Sequence, residues 1–258
     1  MNQIEKARSF ASLHEKGAPL ILYNIWDAGT AKAAEEAGAK AVATGSWSVA
    51  AAHGFGDGEK IPLDLLLTIV QRIVGNVAVP MSVDFEGAYG TTPEQVAAST
   101  RRLIGTGAIG MNVEDRIVGG DGLYDIAAQS ARLSAMRQAA EQAGIPLFIN
   151  ARTDLFLREN DRTRHPALLP AALERAQAYA AAGASGFFAP GLVDATSIGT
   201  LCRETALPVN VMLLDGAPPV GALADLGVAR VSHGPGPYRT AMRQFRDLAE
   251  AALAVRIA

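Results

Sequence analysis

The sequence predicts a (β/α)8 barrel, the TIM-barrel form of the α/β class, and three observations carry that prediction. First, one turn recurs four times: a helical pattern ends, a glycine follows, and a hydrophobic strand begins. It is read at Glu36-Ala37-Gly38-Ala39-Lys40-Ala41-Val42, Gly105-Thr106-Gly107-Ala108-Ile109-Gly110-Met111, Ala182-Gly183-Ala184-Ser185-Gly186-Phe187-Phe188 and Leu226-Gly227-Val228-Ala229-Arg230-Val231. Glycine suits the left-handed position that closes a helix, and helices that alternate with strands in this way imply a parallel sheet. Second, eight apolar runs are present, near 19–25, 40–44, 79–84, 108–113, 146–150, 186–189, 208–212 and 229–232. Third, no Gly-x-Gly-x-x-Gly follows the first run and no P-loop occurs, which counts against the nucleotide-binding doubly wound folds.

The elements follow in order. A leading helix near 3–16 precedes the first strand. Helical patterns then lie near 28–37, 62–74, 93–104, 126–143, 170–182, 194–205 and 218–226, and a final helix runs from about 237 to 254. Pro80, Pro146 and Pro208 stand near strand starts, where a missing N–H costs little. Pro93 with Glu94 behind Thr92, and Pro170 before Leu173-Glu174, mark helix starts. No linker-like shift in composition interrupts the pattern, so residues 1–258 are read as a single barrel domain.

Composition narrows the function. The chain has 258 residues, 49% hydrophobic and 19% charged, with a net charge of −3 and no long block of either sign. Such a chain buries a large core and offers no basic surface for nucleic acid or anionic lipid. Its single cysteine, Cys202, excludes an intrachain disulfide and a cysteine metal cluster. The polar start Met1-Asn2-Gln3-Ile4-Glu5-Lys6 lacks the apolar core of a secretory signal, and no run of eighteen apolar residues occurs. A cytoplasmic enzyme acting on a small molecule is the expectation.

The C-terminal ends of barrel strands form the active-site face, and polar residues gather at those ends here. Val83-Asp84-Phe85-Glu86-Gly87 and Asn112-Val113-Glu114-Asp115 each end an apolar run in carboxylates. Asp84 and Glu86, two apart, share a face if the strand continues through them, and Glu114 on the next strand can approach both. Like charges so close need compensation, and a divalent cation with oxygen ligands, Mg²⁺, supplies it. For Glu86 and Asp115 the alternative is a helix cap or a pair with Arg116. Arg152 emerges from an otherwise apolar strand and offers a planar fork for a substrate carboxylate or phosphonate, or else an internal ion pair with a rim acid. The Gly45-Ser46-Trp47 turn can present backbone N–H groups and a hydroxyl to an anion. Asn210 marks strand seven. His233, after strand eight, is a candidate acid or base, while Cys202 sits in a helical pattern as an inert thiol.

Taken in order, Thr44-Gly45-Ser46-Trp47, Gly56-Asp57-Gly58, Val83 to Gly90, Gly110 to Asp115, Asn150-Ala151-Arg152-Thr153-Asp154, Pro208 to Met212 and Leu226 to Ser232 resemble the isocitrate lyase/phosphoenolpyruvate mutase superfamily, over roughly residues 18–240. The resemblance implies a barrel whose last helix is exchanged with a partner subunit, in a homodimer or homotetramer. It implies Mg²⁺ held by Asp84, with Asp57, Glu86 and Glu114 acting largely through bound waters. Ser46 and neighbouring amides, with Arg152, would hold the substrate carboxylate. The shared chemistry is the formation or collapse of an enolate of pyruvate or a related 2-oxo acid by breaking a C–C or P–C bond. The chain departs from the superfamily in one loop. Isocitrate and methylisocitrate lyases carry Lys-Lys-Cys-Gly-His after the fourth strand, and the phosphonate enzymes a lysine and an asparagine. This chain has Arg116-Ile117-Val118-Gly119-Gly120-Asp121-Gly122-Leu123-Tyr124 there, which disfavours the first two activities. No catalytic group is evident in that loop, which offers Arg116, Asp121 and Tyr124; His233 from the last strand is the candidate substitute.

The expectation is therefore a Mg²⁺-dependent lyase acting on a small anionic 2-hydroxy- or 2-oxo-dicarboxylate. A P–C bond enzyme, phosphonomutase or phosphonopyruvate hydrolase, is the alternative. A barrel that binds a metabolite without turning it over is the third reading.

Overall fold

A computed structural model describes residues 1–254. The eight apolar runs become β1 (Leu20–Leu22), β2 (Val42–Ala43), β3 (Met81–Asp84), β4 (Gly110–Glu114), β5 (Phe148–Arg152), β6 (Gly186–Phe188), β7 (Val209–Met212) and β8 (Arg230–Ser232). They form one parallel sheet in the order β1-β8-β7-β6-β5-β4-β3-β2. The ring closes through a bridge just past β1 and β2: the Ile25 N–H donates to the Ala43 carbonyl at 2.9 Å, and the Gly45 N–H donates to the Ile25 carbonyl at 3.2 Å. This single bridge joins the two end strands at the C-terminal mouth and nearly closes the barrel. The result is the expected TIM barrel. The four repeated glycines, Gly38, Gly107, Gly183 and Gly227, have φ of 94°, 92°, 95° and 89°, the left-handed turn that the sequence pattern calls for.

The helices are α1 (Gln3–Ser12), α2 (Ala28–Glu36), α3 (Ser46–Ala52), α4 (Leu63–Asn76), α5 (Pro93–Ile104), α6 (Ile126–Gln142), α7 (Leu155–Arg158), α8 (His165–Ala181), α9 (Ala195–Glu204), α10 (Val220–Asp225) and α11 (Gly236–Leu253). Outward strand residues such as Val83, Met111, Ile149, Phe187 and Val231 pack against Val70, Leu103, Met136, Tyr179 and Leu201 of the surrounding helices in one buried cluster. Each fully buried aliphatic or aromatic side chain contributes about 1.5–3 kcal/mol. Inside the barrel a second cluster joins Phe10 of α1 to Leu20, Leu22, Ala43 and Phe148. α1 thus plugs the N-terminal mouth, and the His14 ring stacks on Phe148 at 4.1 Å. Gly110 makes room for the plug: a Cβ there would lie 3.1 Å from the Phe10 ring and 3.0 Å from Ser82 Oγ.

Two helix boundaries and two short helices differ from the sequence pattern. α1 ends at Ser12, because Gly17 (φ 86°) and the Glu15–Ala18 bridge turn the chain directly into β1. α8 starts at His165 rather than Pro170. Pro166 opens the helix, and the bond that Pro170 lacks would run to the exposed Pro166 carbonyl, which water can satisfy. The short helices α3 and α7, which follow β2 and β5, have no counterpart in the sequence reading. No helix among the described residues is long and apolar enough to cross a membrane.

One helix stands apart. In α11 only Pro237 is buried among the described residues, whereas Phe245, Leu248 and Leu253 are 70%, 71% and 86% exposed. The outer face of β1 is uncovered as well, with Ile21 39% and Tyr23 54% exposed. A groove of about 520 Å³ lies there, lined by Ile21, Tyr23, Ala34 and Ala37 among others.

Candidate active site

The C-terminal mouth holds a cavity of about 180 Å³. Of the residues singled out by sequence, Gly45, Ser46, Trp47, Asp57, Asp84 and Arg152 line it. Asp84 ends β3, and β2 fixes it from one side. The Asp84 N–H donates to Thr44 Oγ1 at 2.9 Å, and Asp84 Oδ2 accepts from the Ser46 N–H at 3.1 Å. Its second oxygen, Oδ1, is buried and accepts no hydrogen bond from the described residues; the nearest charge is Arg152 Nη1, 3.9 Å away.

Arg152 ends β5 and is gripped along one edge. Its Nε donates to Asp154 Oδ1 at 2.6 Å, and its Nη2 donates to Asp154 Oδ2 at 3.0 Å. The same Nη2 lies 3.0 Å from Glu114 Oε2, its partner across the β4–β5 register. The opposite edge, Nη1, is left toward Asp84 and the cavity. Burial disfavours the guanidinium charge, but Glu114, Asp154 and Asp84 overcome it and raise the pKa of Arg152, so it stays cationic. A fixed planar fork with one free edge is a carboxylate receptor.

Glu86 does not reach the cavity. β3 stops at Asp84, and Glu86 turns through φ 49° into a loop. Its Oε2 accepts the N–H groups of Gly58 and Glu59 at 2.8 and 2.7 Å. In return, Glu59 Oε1 accepts the Tyr89 N–H at 2.7 Å. The described non-glycine residues with left-handed backbone are Glu59, Glu86, Ala88 and Tyr89, and all lie in these two loops. That strain is held by the reciprocal carboxylate bonds, and it sets Asp57 on the cavity wall.

Burial raises the pKa of these acids. Asp57 is shifted up by burial and by Asp84. Burial pushes Glu86 up to about 7, the Glu59 amide opposing and Asp84 and Asp57 adding like charge. Burial pushes Glu114 up to about 8, Arg152 opposing and Asp154 and Asp84 adding to the rise. Together they form a site short of positive charge.

The direct convergence of three carboxylates on one cation is not found: no three His, Cys, Asp or Glu side chains among the described residues stand close enough to ligate one ion. Glu86 is taken by loop amides and Glu114 by Arg152. The residues nevertheless fit Mg²⁺ bound through few protein ligands. Asp84 Oδ1 is an unpaired buried acceptor, Asp57 shares its cavity, and Mg²⁺ keeps several waters when it binds one or two carboxylates.

The remaining candidates lie elsewhere. Arg116 lines a neighbouring cavity beside Val118 and Tyr124. Asp121 is exposed and paired with Arg158, and the Tyr124 ring lies under Arg132 at 4.2 Å. The imidazole of His233 is turned out of the barrel, with Nδ1 3.2 Å from the Leu22 carbonyl and the ring against Tyr23. Asn210 is buried beneath the cavity. Asp115 is structural: it accepts from the Asp154 N–H, Arg175 and Tyr179. Cys202 is buried, and burial raises its thiol to about 11.

Sequence reasoning named Asn112 and Asp154 among the polar strand-end residues without giving either a role, and it missed Arg239. Arg239, from the first turns of α11, lines the cavity and stacks on Trp47 at 4.8 Å, so a second guanidinium faces the space that Arg152 enters. Asp154 was within reach, since it closes the polar strand-end run Asn150 to Asp154, two residues after Arg152. No sequence signal ties Arg239 to the rim.

The family model of phosphoenolpyruvate phosphomutase matches residues 10–253. The chain belongs to the phosphoenolpyruvate phosphomutase family. A Burkholderia cenocepacia protein provisionally named a phosphonomutase has a crystal structure at a TM-score of 0.94 and 47% identity, covering 97% of this chain and 100% of that one. An uncharacterized Mycobacterium tuberculosis protein is 32% identical over 89% of this chain and 83% of its own. The 2-methylisocitrate lyase of Escherichia coli is 28% identical over 87% of this chain and 76% of its own. The fold alone is shared with a phosphonopyruvate hydrolase solved with oxalate and Mg²⁺, at a TM-score of 0.82 and 19% identity, over 97% and 87% of the two chains. Phosphoenolpyruvate phosphomutase relatives thus include lyases and P–C bond enzymes on one barrel.

Proposed function

We propose that this member of the family is a Mg²⁺-dependent lyase that cleaves a C–C bond of a small 2-hydroxy- or 2-oxo-dicarboxylate. One observation carries the reading: two guanidiniums, Arg152 and Arg239, line a single cavity of about 180 Å³ together with the unpaired carboxylate oxygen of Asp84. Two fixed cations suit two anionic groups, and the volume suits a molecule of a few carbons. Arg152 holds the carboxylate beside the reacting carbon, the first amides of α3 past Ser46 add backbone donors, and Arg239 holds the distal anion. Asp84, with Asp57 beside it, would hold Mg²⁺; when bound, that ion supplies Lewis-acid stabilisation of negative charge developing on a 2-oxo oxygen. His233 has no part in this arrangement, and the 116–124 loop contributes a proton donor only by moving toward the cavity.

A P–C bond reaction is the second reading, favoured by the 47% identity to the Burkholderia cenocepacia protein named as a phosphonomutase. Oxaloacetate, substituted malates and phosphonopyruvate, each incubated with Mg²⁺ or EDTA and resolved by product, separate the two. Release of pyruvate or another 2-oxo acid from a malate supports the lyase. Phosphate or phosphoenolpyruvate from phosphonopyruvate supports the alternative. Turnover indifferent to EDTA contradicts both. Arg239→Met separates longer dicarboxylates from the two-carbon oxalate: KM for the former rises while oxalate still binds.

The oligomer belongs to the same proposal. The bare apolar side of α11 and the uncovered outer face of β1 are complementary in character, and a homodimer or homotetramer that exchanges α11 between subunits covers both.

A further inference from the structure

The barrel interior beneath the cavity holds a polar layer that the acid cluster does not use. Arg230 enters it from β8 and is 1% exposed. A guanidinium carries donors only, so an amide beside it must turn its oxygen inward. Arg230 Nη2 donates to Asn112 Oδ1 at 3.2 Å, and Asn150 Nδ2 donates to the same oxygen at 2.9 Å. Asn150 Nδ2 also donates to Asn210 Oδ1 at 3.1 Å, while Asn210 Nδ2 donates to the carbonyls of Val211 and Arg230. The guanidinium therefore sets the direction of the whole chain of amides. Flipping Asn112 would face its nitrogen toward the donors of Arg230 and Asn150.

Asn112 lies two residues below Glu114 on β4 and lines the floor of the cavity. Its oxygen is occupied from below, and its nitrogen donates to no acceptor among the described residues. We propose that Asn112 contacts the substrate, its amide N–H donating to an anionic oxygen of the bound acid, and that Arg230 is the positioning residue that keeps this donor turned into the cavity. The inference rests on the reading of the cavity as a receptor for a small 2-oxo or 2-hydroxy acid. It adds a neutral donor to the floor beneath the two guanidiniums, on the side of Asp84, which Asn112 faces across the β3–β4 register.

A purely structural role for Arg230 is distinguishable. Its Nε and Nη1 have no partners, and a buried charge with unmet donors costs stability, so its removal is neutral or stabilising for the fold. In Asn112→Asp one oxygen still accepts from Arg230, while an oxygen replaces the donor that faces the cavity.

The test is oxalate binding by calorimetry at saturating Mg²⁺, with melting temperature measured on the same samples. Asn112→Asp is expected to lose about tenfold or more in oxalate affinity, and Arg230→Met about threefold or more, with neither melting below wild type. Unchanged oxalate affinity in Asn112→Asp, beside firm wild-type binding, overturns this inference alone. Affinity losses that appear only with a fall in melting temperature assign the layer a structural role and also overturn it. Wild-type protein that binds no oxalate overturns the reading of the cavity, and this inference with it.

Discussion

Glu59 and Glu86 exchange backbone hydrogen bonds between two loops: the Glu86 carboxylate accepts the Glu59 N–H at 2.7 Å, and the Glu59 carboxylate accepts the Tyr89 N–H at 2.7 Å. The pair holds four left-handed non-glycine residues in place and positions Asp57. Glu86→Ala leaves the Gly58 and Glu59 donors without an acceptor and is expected to cost about 2 kcal/mol or more in urea unfolding. Glu86→Gln keeps an oxygen for both donors and should stay close to wild type. Equal stability of the Ala and Gln variants would show that the loops do not depend on this carboxylate.

Arg152 owes its orientation to Asp154, which binds two of its nitrogens. Lysine brings one point charge and cannot hold Asp154 and Glu114 while still offering an N–H to the cavity. Arg152→Lys should therefore lose about 100-fold in oxalate affinity, within the range of one hydrogen bond to a charged group. Asp154→Asn keeps the guanidinium but loosens its grip, and about tenfold is expected. The order of the two losses is the test, since a reversed order would make Asp154 the primary contact.

The raised acids predict a proton-linked metal site. Glu86 at about 7 and Glu114 at about 8 bind protons near neutrality that an unfolded chain, with carboxyls near 4.5, has already released. Their folded pKa values lie above the unfolded ones. The stability they contribute is therefore full below about 4.5 and is lost as pH rises through 7 to 8. Metal-free protein should melt at progressively lower temperature from pH 5 to pH 8. Mg²⁺ beside them favours the ionised forms, so its binding should release protons at pH 7, strengthen with rising pH and flatten the melting curve. Calorimetry in buffers of different ionisation enthalpy reads the proton count directly, and a count of zero would show that Glu86 and Glu114 do not sense charge bound at Asp84.

The strands were legible because parallel strands buried on both faces read as continuous apolar runs; six of the eight lie within the runs read from the sequence, and β4 and β5 run past theirs to Glu114 and Arg152. The acids at their ends were legible for the same reason: a carboxylate that ends an apolar run lies at the rim. The reasoning failed where backbone direction changed. Two-residue spacing places Glu86 beside Asp84 only if the strand continues, and φ 49° at Glu86 ends it. Applied to β8, the same spacing points Arg230 and Ser232 inward and His233 outward, so the placement of His233 was derivable. Arg239 was not, because α11 follows the last strand and its first turns fold back over the mouth only in three dimensions. Pro170 misled through its usual role as a helix opener, which Pro166 fills instead.

In the proposed oligomer, α11 would link assembly to the site. Its outer residues Phe245 and Leu248 are 70% and 71% exposed, far more apolar surface than one helix of a lone subunit gains by leaving bare. Its first turns carry Tyr238, edge-on to Trp26 at 5.0 Å and Trp47 at 5.8 Å, and Arg239 on Trp47. A partner that covers the apolar side of α11 also steadies the end that reaches the cavity. Leu248→Glu places a charge in that contact while touching nothing in the mouth, so it should shift the protein toward monomer in sedimentation velocity. With the helix released, affinity for a four-carbon dicarboxylate should fall more than affinity for the shorter oxalate, because Arg239 loses its support while Arg152 keeps Asp154 and Glu114. Leu248→Glu that sediments as wild type would leave the exposed face without an occupant. A monomer with unaltered dicarboxylate affinity would instead show that Trp47 alone holds Arg239 in place.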